Sequence, residues 1–118
     1  MKKHNVIKEL SFEFAVTVIA LYKTLIHSKK EYVMSKQLLR SGKAIGAIYR
    51  EAEHAESAPD FIHKMAMVQK ECNETMYWLE LLHRTEYITL DQFKDIYPSA
   101  LSLMKLSTKI ITSSKARK

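Results

Sequence analysis

The chain is short of turn-makers and of thiols: its 118 residues include two glycines, two prolines and one cysteine. A many-stranded β protein needs turn residues every ~10 residues, and this sequence does not supply them. The lone Cys72 excludes an internal disulfide and any zinc site built from several thiolates; it reads as a buried thiol in a reduced, cytoplasmic setting. No P-loop, G-x-S-x-G, H-E-x-x-H or kinase-like set is present, and there is no internal repeat or low-complexity stretch. A membrane-length apolar run is missing too. "FAVTVIALY" (14–22) falls short of the ~20 residues a span needs. Glu9 and Glu13 interrupt the approach to it, and no small-x-small cleavage site follows the basic start. We read that run as a core helix, with no membrane contact expected.

What is present is helical periodicity. Apolar residues make up 47% of the chain, enough for a core in a single domain spanning residues 1–118. The first segment, about 6–27, repeats Ile7, Leu10, Phe14, Val18, Leu21 and Leu25 at three- and four-residue steps. A second apolar line, Phe12, Val16, Ile19 and Ile26, runs beside it. That is more apolar width than one neighbour requires, so the surplus serves a wide core or a subunit interface. The second segment, about 34–55, carries Met34, Leu38, Ile45, Ile48 and Ala52, with Ser41 in the gap. In the third, about 58–87, Ser57 is the N-cap, Pro59 falls in the first turn, and Phe61, Met65, Val68, Cys72, Met76, Leu79 and Leu82 form the core line. The fourth, about 89–113, starts at Thr89 and contains Pro98, which is expected to kink or split it. The tail "SSKARK" lacks apolar periodicity and is expected to fray. The expected fold class is all-α, an up-down-up-down four-helix bundle with both termini at one pole.

The chemistry that could ride on such a bundle is limited. Glu51-x-x-His54 and Glu80-x-x-His83 echo the E-x-x-H pairs of di-iron bundles, but antiparallel packing puts them roughly 30 Å apart at 1.5 Å per residue. They cannot share a metal within one chain; His54 with Glu9, Glu13, Asp60 or His63 reads as a solvated polar end. No metal, cofactor or catalytic residue is expected. Glu71 and Glu74 fall opposite Arg40 and Lys43, and Arg40, Glu71 and Glu74 are expected to form a charge network. Gly42 and Gly46 sit inside the second helix, where each costs about 1 kcal/mol against alanine. No strand precedes them, so they are not a phosphate cradle, and Arg40, Lys43 and Arg50 argue against a membrane motif. With Ala44 and Ala47 nearby they read as a helix-packing notch.

Net charge is +6, from 19 basic and 13 acidic residues. The candidate phosphate contacts are Lys29, Lys30, Lys36, Arg40 and Lys43 leading into the second helix, then Lys115, Arg117 and Lys118 at the end, with Lys2, Lys3, Lys8 and Lys109 nearby. The second connection is acidic, through Glu51, Glu53, Glu56 and Asp60. An aromatic platform for single strands is not apparent.

Residues 37–82 carry a further signal. The Q-L-L-R-S-G run, I-G-A, R-E-A-E-H-A-E-S, the D-F pair and K-E-x-N-E-T-x-Y-W-L-E-L-L together resemble the small proteins encoded within intervening sequences of bacterial 23S rRNA genes. The accessory proteins of diversity-generating retroelements share that superfamily. Gln37, Arg40, Gly42, Glu51, Glu71 and Glu74 match positions the pattern favours. The sequence departs from it at Lys43, Ala44 and Ile48, where threonine, serine and asparagine are usual. The resemblance implies a bundle that forms a ring-shaped homo-oligomer, typically a pentamer, with a non-enzymatic role. It also implies association with RNA or DNA, or with a protein partner such as a reverse transcriptase; the alternative is a protein-interaction scaffold whose charge is incidental.

Overall fold

The computed structural model describes the backbone of residues 2–117 and the side chains of residues 6–117. Four helices, and no strand among the described residues, make up the chain: α1 (Lys2–His27), α2 (Met34–Ala52), α3 (Ala58–Arg84) and α4 (Leu90–Ala116). Each helix packs on its two neighbours around a square, α1 on α2 and α4, and α3 on α2 and α4, with no close backbone approach across a diagonal among the described residues. Short links make neighbours antiparallel, giving a rod of 48 × 21 × 19 Å. The expected apolar lines meet at its centre. Ile7, Phe14, Val18 and Leu25 of α1 face Leu38 and Ile45 of α2, Val68, Cys72 and Leu79 of α3, and Leu103 and Ile110 of α4.

Each boundary has a local cause. Ser57 accepts the Asp60 N–H at 3.1 Å to open α3, and Thr89 and Gln92 form a reciprocal capping box that opens α4. α2 stops at Ala52 rather than 55. Beyond it the chain tightens, with His54 N–H donating to Glu51 O at 3.0 Å and Ala55 N–H to Ala52 O at 3.1 Å. α3 stops at Arg84 rather than 87, because Glu86 takes a left-handed φ of 69°.

Three expectations need correcting. Pro98 does not split the fourth helix, which runs unbroken from Leu90 to Ala116. Proline removes one N–H and crowds the carbonyl four residues back, but Pro98 faces solvent while Ile96 and Ala100 on the same turns are buried. The segment 113–116 is helical rather than frayed. The first helix is also longer and more apolar than the FAVTVIALY run suggests: Val6–His27 is long and apolar enough, by length and composition, to cross a membrane. In the fold one face of it lies in the core and the other, with Phe12, Val16 and Ile19, is 54%, 50% and 36% exposed.

Candidate nucleic-acid interface

The basic residues of α2 form a row. Lys36, Lys43 and Arg50 recur every seven residues on its exposed side, so they stand ~10.5 Å apart along the helix with little angular drift. None of the three has an ion-pair partner among the described residues. Lys29 and Lys30 extend the row into the α1–α2 link. The link is tied to the helix start by an unusual cap. The Glu31 carboxylate, ahead of the helix, accepts the N–H groups of Val33, Met34 and Ser35 at 3.2, 3.0 and 2.7 Å. The Ser35 hydroxyl donates back to Glu31 O at 2.7 Å. Burial pushes the Glu31 pKa up, but the hydrogen bonds from Ser35, Met34 and Val33 together outweigh it and hold the carboxyl below the usual glutamate range. Lys30 reverses the chain just before it, in the left-handed region at φ 56°.

Arg40 stands apart from that row. Its guanidinium lies 2.5 Å from Glu74 and 3.3 Å from Glu71, tying α2 to α3. Glu74 also accepts the Trp78 indole N–H at 3.2 Å. The Arg40 hydrogen bond is the largest cause holding the Glu74 carboxyl below its ordinary range. Lys43, also expected opposite these carboxylates, pairs with neither. One turn deeper, Thr75 donates to Ser41 Oγ at 2.9 Å or to Glu71 O at 2.8 Å, so the fully buried polar residue of the α2 stripe is satisfied across the same seam.

On the opposite side of α2 the glycines admit α1. A methyl group at Gly42 would lie 2.9 Å from both γ carbons of Val18, and one at Gly46 3.2 Å from the Ser11 hydroxyl. Above Gly46 the seam opens into a cleft of about 250 Å³. Lys8 and Phe12 line it from α1; Lys43, Ala47 and Arg50 line it from α2. The Arg50 guanidinium lies over the Phe12 ring, 5.5 Å from its centroid. Lys8 is 3.3 Å from Glu53 of the acidic link. Sequence reading had not joined Phe12 to the basic residues. The available signals were an aromatic outside the main α1 stripe and an arginine one heptad beyond Lys43.

Other candidates are not brought together. Lys115 and Arg117 are exposed at the end of the chain with no ion pair among the described residues, while Lys118 and the side chains of Lys2 and Lys3 lie outside the described residues. Among the described residues no three His, Cys, Asp or Glu side chains gather as a metal set would require. Glu80 accepts the Tyr97 hydroxyl at 2.5 Å, and His83 stacks on Phe93 with ring centroids 4.6 Å apart. Cys72 is buried, and burial followed by the Glu71 charge pushes its thiol up to about 12, so it is no thiolate at neutral pH.

Comparison with known proteins agrees with this architecture. The family model for the 23S rRNA-intervening sequence protein matches residues 3–109. The crystal structure of a protein of unknown function from the S23 ribosomal protein family of Bacteroides thetaiotaomicron VPI-5482 superposes with a TM-score of 0.92 at 55% identity, covering 93% of this chain and 98% of that one. No curated protein matches the chain.

Proposed function

The chain belongs to the 23S rRNA-intervening sequence protein family, and from that premise we propose that it is a non-catalytic, self-assembling protein that associates with RNA through phosphate contacts. The observation that carries this reading is the row Lys36, Lys43 and Arg50, exposed and without an ion pair among the described residues, continued by Lys29 and Lys30. Lysine and arginine heads at such spacing meet phosphates without reading base sequence. Arg40 belongs to the α2–α3 charge network in this reading, not to the contact surface. Lys115 and Arg117 add a secondary contact at the other pole.

Salt dependence is the test. RNA affinity should be measurable in low salt and fall as salt rises, with a log–log slope of roughly −2 to −4 for the few phosphates the row can reach. Reversing the charge at Lys29, Lys30 and Lys36 should weaken binding to all sequences alike. Absence of binding in low salt, or affinity indifferent to salt, rejects the proposal.

A second reading has its own support. The exposed apolar residues Val16 and Ile19 on α1 favour contact with another protein surface. A second copy of the chain is the simplest occupant, and the family resemblance suggests a closed ring such as a pentamer. A scaffold that docks a different protein would use the same face while leaving RNA unbound.

A further inference from the structure

We propose that the cleft between α1 and α2 holds one unpaired nucleotide of a single strand, its base against Phe12 and its phosphate between Lys43 and Arg50. The inference deepens the RNA-association reading and rests on it.

Four features converge there. The cleft, about 250 Å³, is an open notch whose floor is made by Gly46 and Ala47, residues too small to fill it. Phe12 presents an aromatic ring that is 54% exposed, so its face is open to a ligand. Arg50 already lies over that ring at 5.5 Å, so the ring accepts a planar cation, and the guanidinium makes no ion pair among the described residues although Glu9 and Glu13 line the same surroundings. Lys43 closes the same wall, one heptad before Arg50, and has no ion pair among the described residues. An aromatic face beside two cations that make no ion pair among the described residues is a combination that single strands use: the ring takes a base regardless of its identity, and the cations take the backbone. Lys8 is a weaker contributor because Glu53 holds it at 3.3 Å.

The outer lip supplies a selection. Glu9 and Glu13 border the cleft on the α1 side beyond Phe12. Their charges oppose a second phosphate backbone alongside the first, so the geometry favours a single strand over a duplex, whose bases are in any case stacked away from Phe12. The row on α2 then acts as a track leading to the cleft, from Lys29 and Lys36 to Lys43 and Arg50.

The test uses the full chain and three labelled probes in low salt: a short uridine single strand, a strand of the same length and charge whose sites are abasic, and an RNA duplex. Wild type should bind the uridine strand roughly tenfold more tightly than the abasic one, the value of one stacked base. Phe12→Ala should abolish that difference by weakening the uridine strand alone. Ala47→Leu, on an exposed helical position, should fill the notch and do the same with charge unchanged. Both variants should keep the salt slope of wild type, whereas Lys43→Gln should reduce it by about one. If wild type binds none of the probes, the RNA reading itself fails. If it binds with the expected salt dependence but treats uridine and abasic strands alike, the cleft inference fails and the RNA reading stands. The cleft inference also fails if Phe12→Ala leaves RNA binding intact and instead changes the sedimentation of the protein, because Phe12 then belongs to a contact between copies.

Discussion

Gly42 and Gly46 are four residues apart in the same helix, yet they do different things. Val18 is fully buried and β-branched, with little rotamer freedom to move away from a methyl group placed 2.9 Å from both its γ carbons. At Gly46 the tight neighbour is a hydroxyl at 3.2 Å, and the next atoms are at ordinary van der Waals distance. Alanine returns about 1 kcal/mol of helix propensity at either position. Overpacking costs about 1–3 kcal/mol where neighbours cannot yield. Gly42→Ala should therefore destabilise the protein by up to about 2 kcal/mol net, and Gly46→Ala should cost at least ~1 kcal/mol less, read from urea midpoints. Equal stability for the two variants would mean that α1 can shift away from α2 without loss. The glycine notch is then a property of one residue more than of the pair.

At the scale of the element, α2 is organised by its start. The Glu31 carboxylate covers three N–H groups that would otherwise face the α1–α2 link unpaired. Because its pKa is lowered on folding, the unfolded chain takes up the proton first as pH falls. The stabilisation is thus complete above the ordinary glutamate range and is lost as pH drops through and below it. Glu31→Ala should cost about 2 kcal/mol at neutral pH, and the gap to wild type should narrow in acid, seen as a flatter acid limb in thermal melts. A gap independent of pH would show that packing, not the charged cap, is lost. This cap was not legible in the sequence, since Glu31 precedes the helix by three residues and matches no familiar capping spacing. Ser57 and Thr89 were legible because side chain and helix start are adjacent in sequence. The core lines were legible for the same reason: periodicity is local, and burial follows it at Phe14, Val18, Leu79 and Leu82. That the fourth helix continues through Pro98 was not legible, because the cost of proline depends on which side of the helix it faces, which only packing decides. The pairing of Phe12 with Arg50 joins two helices, and periodicity within one helix carries no information about it.

For the whole molecule, the unresolved asymmetry is on α1. One face enters the core, and the other leaves Val16 and Ile19 half-exposed beside Phe12 at helical spacing. A lone bundle gains nothing from such a stripe, whereas two copies packing along it would remove that surface from water at ~25 cal/mol per Å². Val16→Gln with Ile19→Gln changes no charge and replaces no buried residue, so helix content and melting of the separate bundle should hold. The prediction is that wild type sediments as an assembly and the double variant as a single copy. Assembly also matters for the ligand. Each copy carries a net charge of +6, and joining several rows lets one strand engage more than one of them, so its second contact forms at high effective concentration. The double variant should consequently bind a long single strand at least tenfold more weakly than wild type, while a strand short enough to occupy one copy is bound equally by both. Loss of affinity for the short strand as well would place Val16 or Ile19 in the RNA contact itself, and an assembly that survives both substitutions would move the contact between copies to a different face of the bundle.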